Sequence, residues 1–321
     1  MESHSHPVLA MLVNRIGLGL LSLLIVSIVI FSAVSMLPGD FASAILGQTA
    51  TPEAVTALQH KLGLDLPWPQ RYVVWLMDAV RGDLGDSFSG RPVIDVIGPR
   101  LYNTLLLAAS TAIFAVPLAV GLGIVCARFR GRFIDKFFST SSLAAISVPE
   151  FFLAYILMML LSVNLHLLPS MSSIRMGMSL GEQMIRMVLP ILTLMLVVLA
   201  HMIRNTRAAI LGVMASPYVE MARLNGEPEK RVVLRHALPN AIGPIASVLA
   251  INLAYLISGV VVIEVVFVYP GVGQTMVDAV RNRDVPVIQA CALIFAVTYI
   301  GLNMIADIIS IVSNPRLLHP R

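Results

Sequence analysis

Two acidic side chains lie inside apolar stretches of this 321-residue chain, and they are the first places to look for chemistry. Glu150 stands in Val148-Pro149-Glu150-Phe151-Phe152, and Asp307 near the end of the last apolar block. A charge at the middle of a bilayer costs at least about 2.5–3.5 kcal/mol, so each must face protein or a water-filled interior. Such a group can carry a proton, meet a cationic solute or bond across helices. Glu150 is open to two roles: lining a path for solute, or serving a helix end where Pro149 breaks the backbone pattern. Asp307 fits a structural partner better. Metal chemistry lacks its spacing, since no H-E-x-x-H occurs and neither His201 nor His236 has a ligand-spaced partner. His4 and His6 read as part of a terminal tail. The phosphate loop G-x-x-x-x-G-K-[ST] is also missing, and Gly121-Leu122-Gly123 is too short and apolar to replace it. Cys126 and Cys291 fall in apolar blocks and read as small hydrophobes, neither a disulfide nor a metal pair. Neither an enzyme nor a resident cofactor is expected.

The elements that position these residues are membrane helices. Hydrophobic residues make up 57% of the chain and charged ones 12%, about half the share an ordinary soluble domain carries. A span needs about 20 apolar residues at roughly 1.5 Å of rise each. Charge-poor stretches of that order run over residues 16–39, 101–127, 137–164, 187–203, 240–263 and 285–311, predicting six spans. The first is about 24 residues long and ends in Pro38-Gly39-Asp40 without a small-residue cleavage site, unlike a signal peptide. No alternation of a barrel strand recurs. The expected fold is an all-α polytopic membrane protein, divided as residues 1–40, 41–100, 101–311 and 312–321.

Positive charge sets the orientation. With six spans, both termini share a side with loops 128–136 and 204–236, and that side holds 13 of the 22 basic residues. It carries a net +8, against −2 opposite, which predicts cytoplasmic termini. No unbroken basic run suggests nucleic acid. Residues 41–100 are then external. Thr51-Pro52-Glu53 starts a helix there, Pro67, Pro69 and Gly82–Gly90 read as turns, and Trp68, Tyr72 and Trp75 suit the headgroup layer. Arg281, Arg283 and Asp284, in the outer connection before the last span, are candidates for docking an external partner.

Residues 204–240 are the most informative loop. Ser216 followed by Pro217 starts a helix, the hydroxyl being able to cap a free N–H, and Gly226 suits the left-handed residue past its end. Pro228 starts a second helix, expected to stop near Ala237 before Pro239. A short rigid helix held between two spans can transmit motion from a soluble partner; a solvated basic loop that only sets topology has the same spacing.

Tyr218-Val219-Glu220-Met221-Ala222-Arg223, then Gly226, then Leu234-Arg235-His236-Ala237-Leu238-Pro239-Asn240 resembles the "EAA" loop of type I ABC importer permeases. The likeness to the dipeptide, oligopeptide and nickel branch covers nearly the whole chain. It includes Pro38-Gly39-Asp40, Leu62-Gly63-Leu64-Asp65, Gly82-Asp83-Leu84-Gly85 with Ser87, Thr104, Tyr269-Pro270-Gly271-Val272-Gly273, Arg283-Asp284 and Asn314-Pro315-Arg316. It departs at Asn225, where the family usually has a basic residue.

The resemblance implies a multi-pass permease of a bacterial inner membrane, surrounded by lipid. Its partners would be a second homologous permease, two cytoplasmic ATPase subunits that hold ATP and Mg, and an external solute-binding protein. Residues 217–226 would couple to the ATPase through Tyr218, Glu220, Ala222, Arg223, Asn225 and Gly226. Glu150 and Asn252 are candidates for the translocation path, for peptides or similar small solutes. A rival reading is an ion-coupled secondary transporter using Glu150 and Asp307, which predicts paired repeats and broken helices.

Overall fold

The computed structural model describes residues 7–36, 46, 50–61, 63, 65–174 and 177–312. Pro38-Gly39-Asp40, Leu62, Leu64, Asn314-Pro315-Arg316, His4 and His6 lie outside the described residues. The helices are α1 Pro7–Ser35, α2 Pro52–Lys61, α3 Trp68–Val80, α4 Val93–Arg128, α5 Phe133–Ser147, α6 Glu150–Asn164, α7 Leu180–Met214, α8 Pro217–Leu224, α9 Glu229–Phe267, α10 Val272–Asn282 and α11 Val285–Val312. Among the described residues no strand forms, only an isolated bridge between Asp86 and Pro92. Parts of α1 and α11, and all of α4, α7 and α9, are long and apolar enough to cross a bilayer, and the pair α5–α6 makes a sixth crossing if counted as one span. The chain is an all-α polytopic membrane protein.

Several expectations change. The third span is not one helix, because α5 and α6 meet at 104° across Val148 and Pro149. Proline lacks an N–H and pushes the residue before it out of the helical region, and Val148 is accordingly extended (φ −95°, ψ 128°). Glu150 is thus the first residue of a helix rather than the middle of one. The helix after Pro228 does not stop at Ala237 but runs on into the fifth span. Residues Val232–Ala237 widen into a π-helical turn, which makes room for the ring of Pro239 and its missing donor. Pro67 and Pro69 begin α3 instead of marking a turn. Residue 100 lies within α4, and the two compact bodies divide a turn further along that helix, between Thr104 and Leu105. Helix α7 overruns residues 187–203 at both ends: its 35 residues rise roughly 50 Å against a core of about 30 Å.

The described residues fall into two compact bodies. The first lies within Leu20–Thr104 and Pro270–Val297. Helix α3 packs here on α1 through aromatic rings rather than standing free. Phe31 meets Trp68 and Tyr72 edge-on at 5.8 and 5.6 Å, and the buried Tyr72 hydroxyl shares a 2.8 Å hydrogen bond with Ser27. Val34, Val93, Ile97, Val272, Val287 and Ile288 form the core. Two side chains pin the loops over it. Thr104 Oγ1 accepts from Val272 N at 2.9 Å, capping a helix whose own N-cap, Gly271, has no side chain. Asp284 Oδ2 accepts from Ser87 Oγ at 2.5 Å and from Phe88 N at 3.2 Å.

The second body lies within Met1–Gly19, Leu105–Tyr269 and Thr298–Arg321. Gly123 lets α4 approach α7 closely: a methyl there would stand 2.7 Å from the Thr206 side chain. Asp135 of α5 is buried and takes two hydrogen bonds from Arg207 of α7, at 2.5 and 2.8 Å. Gly131 N adds a third at 2.8 Å. Arg15 donates to Asp307 at 2.9 Å, which gives that carboxylate the structural partner it was expected to need. Cys126 and Cys291 are free and buried, each in a different body.

Removing one member of a buried ion pair strands the other's charge. Asp135→Ala is expected to cost about 3 kcal/mol. In a double-mutant cycle with Arg207→Ala, the double variant should lose less than the sum of the singles, read as thermal unfolding in detergent.

Candidate functional site

Helix α8 is short because both its ends are specified. Pro217 takes the first helical position, where its missing N–H leaves nothing unsatisfied. The Ser216 hydroxyl does not cap the helix as expected; it turns back and donates to Val213 O at 2.5 Å, while the Ser216 carbonyl receives Val219 and Glu220 N–H. At the other end, Gly226 N bonds Arg223 O and Glu227 N bonds Ala222 O, with Gly226 at φ 81°. This is a Schellman stop, and it needs the left-handed backbone that glycine adopts without strain. The expectation for Gly226 holds.

The eight residues divide by face. Val219 and Ala222 are buried, and beneath them lie Val232, Val233 and Ala237 of the π turn, also fully buried. A small residue at 222 suits a helix lying this close to the rest of its own chain. The other side presents Tyr218, Met221 and Leu224, which are 46%, 58% and 76% exposed. Their spacing of three places them along one stripe, next to exposed Glu220 and Asn225. Arg223 reaches across the corner to Glu229 at 2.7 and 3.3 Å, and Arg231 bonds Glu227 at 2.9 Å. The corner is therefore braced on both flanks, and the apolar stripe is left without a partner among the described residues. Met221 and Leu224 were not singled out from the sequence, although three apolar residues at helical spacing inside a polar loop were the available sign.

The other candidates fall in two groups. Glu150 sits at the start of α6 against Gly259 of α9, where a methyl would stand 3.0 Å from Oε2. The absence of a side chain at 259 makes room for the carboxylate. Asn252 lies seven residues earlier in α9, two turns away and so on the same face; it is buried and donates to Val248 O at 2.8 Å. Arg281 and Arg283 are exposed at the end of α10, Arg283 holding a left-handed conformation (φ 57°). Asp284 beside them is buried against Ser87 and Phe88, so its carboxylate ties down residues 87–88 instead of facing solvent. Among the described residues no group of three or more His, Cys, Asp or Glu is arranged to hold a metal ion.

Residues 119–319 match the family described as binding-protein-dependent transport system inner membrane component, and residues 8–108 match its N-terminal membrane component. The chain is 37% identical over 302 residues to the glutathione transport system permease protein GsiC of Escherichia coli, covering 94% of this chain and 96% of that one. It is 35% identical over 293 residues to the probable peptide ABC transporter permease protein y4tP of Sinorhizobium fredii, covering 91% and 94%.

A β-branched residue at the left-handed corner should open it. Gly226→Val is expected to cost about 1–2 kcal/mol, with Gly226→Asn closer to the parent. Limited proteolysis reads this directly: faster cleavage between residues 217 and 229 in the valine variant alone.

Proposed function

The chain belongs to the family of binding-protein-dependent transport system inner membrane components, and from that premise we propose that α8 and its glycine corner, residues 217–226, are the lever through which a cytoplasmic ATPase moves this subunit. The protein is a permease subunit of an ABC transport system and a transport component, not itself an ATPase. Its family membership implies assembly with other components of such a system.

The observation that carries the proposal is the stripe Tyr218, Met221 and Leu224. Exposed apolar side chains in a loop rich in charge are unfavourable in water, at about 25 cal/mol per Å² of apolar surface, and a groove on a soluble subunit would remove them from it. The braces Arg223–Glu229 and Arg231–Glu227 would make the helix transmit force rather than swing. Glu220 and Asn225, beside the stripe, would supply polar contacts, with Asn225 replacing the family's usual basic residue by a neutral one.

The assembly we infer contains a second homologous permease, two ATPase subunits carrying ATP and Mg, and an external solute-binding protein. Both termini and residues 204–236 would be cytoplasmic, as the excess of basic residues on that side supports. Arg281 and Arg283 would then face the binding protein, with Asp284 holding the neighbouring segment in place. The solute would be a peptide or a similar small compound, in keeping with the relatives named above. Glu150 would line its path beside Gly259, where it could meet a cationic group, and Asn252 would lie further along the same face of α9. The ion-coupled alternative is weakened because Asp307, one of its two proton sites, is engaged by Arg15.

Two measurements test these assignments. Leu224→Glu should weaken retention of the ATPase subunits on the purified permease by tenfold or more, about 1.4 kcal/mol, while the permease still inserts normally. Equal retention would remove α8 from the contact. Glu150→Gln should reduce uptake of cationic solutes more than neutral ones; an unchanged rate and selectivity would take Glu150 out of the path.

A further inference from the structure

Between α4 and α5 the chain carries a second surface that the transport reading leaves unused. Only residues 129–132 join the two helices, so this connection is held at the end of its spans and cannot project far. Arg128, Arg130, Arg132 and Lys136 are all exposed there. The guanidinium groups of Arg128 and Arg132 both approach the ring of Phe129, at 4.9 and 5.7 Å from its centre. Like charges gathered on one ring repel unless an anion lies nearby, and none of the described residues supplies one. Asp135 is the single acid in this stretch, and it is turned inward onto Arg207, Gly131 and Ser139. Among the described residues none of the four cations has an acidic partner.

Beside these charges stand two apolar rings. Phe133 and Phe137 are one turn apart on the first part of α5, stacked at 6.2 Å, and 81% and 53% exposed. Phenyl rings beside basic residues at the end of a span suit the boundary between headgroups and acyl chains, and cations with apolar neighbours there match an anionic headgroup above and acyl chains below. A topology signal alone needs the charge but neither the stacked rings nor an inward-turned acid.

We propose that Arg128, Arg130, Arg132 and Lys136, together with Phe133 and Phe137, form a binding site for the phosphate headgroup of an anionic phospholipid. The guanidinium groups take the phosphate, and the phenyl rings meet the upper part of the acyl chains. The site is independent of α8 and of the solute path.

Native mass spectrometry of the assembled transporter, with phosphatidylglycerol and phosphatidylcholine of identical chains, tests it. The parent should retain phosphatidylglycerol on the order of several hundredfold more tightly, about fivefold for each of the four basic residues. Arg130→Gln with Arg132→Gln should lower that affinity about 25-fold, fivefold per residue, and leave phosphatidylcholine unchanged. Phe133→Ser with Phe137→Ser should weaken both lipids alike. A photoactivatable phosphatidylglycerol should label residues 128–137 of the parent, a result that requires no variant to fold. Equal retention of the two lipids, an affinity indifferent to Arg130 and Arg132, or labelling elsewhere would overturn the proposal. Displacement by millimolar inorganic phosphate would assign the site to free phosphate, and a cross-linker at residue 130 that captures an ATPase subunit would make the surface a protein interface. Either result would also overturn it.

Discussion

A bilayer gives the backbone nothing to hydrogen-bond, and this constraint shapes each element of the chain. Helices satisfy their own N–H and C=O groups, so long helices carry the apolar residues, and each departure from regular helix needs local compensation. At Pro149 the chain abandons one helix and starts another, because the proline has no donor and Val148 cannot stay helical. At Pro239 it widens into a π turn and continues. The two solutions have different consequences. The first puts a carboxylate at a helix start beside a glycine that leaves it room; the second joins the loop of α8 to a span in one unbroken element.

Several charged residues in this protein fix corners. Asp135 joins α5 to α7, Arg15 joins α1 to α11, and Arg223 and Arg231 brace the turn after α8. The exposed pairs are individually weak, with a median of about 0–1 kcal/mol. The pair at Asp135 differs because its carboxylate is buried and further bonded by Gly131. That arrangement has a second effect, since it withdraws the only acid from a basic connection. Similarly, the carboxylate of Asp284 turns inward to Ser87 while Arg281 and Arg283 remain outside. In both places burial of an acid leaves a positive surface behind.

Part of the site was legible because its chemistry is local. A proline at a helix start and a glycine at its end act within a few residues, so the limits of α8 could be placed from Ser216, Pro217 and Gly226. The start of α7 could have been placed the same way, since Ser179 and Glu182 form a capping box before the apolar run. Charge-free length missed it because a helix longer than the bilayer carries charges beyond the hydrocarbon. The Ser216 hydroxyl was misassigned because two acceptors and donors compete within one turn, and sequence does not decide between them.

From its residues alone the chain is a membrane protein of about six apolar crossings without an ATP loop, since hydropathy and local backbone rules need no distant partner. Which face of α8 is open, why Gly123 and Gly259 lack side chains, and that Thr104 caps a helix 168 residues away were decided only by tertiary packing. Such facts depend on which helices lie side by side, and neither the spacing of residues along one helix nor their type records the identity of the neighbour.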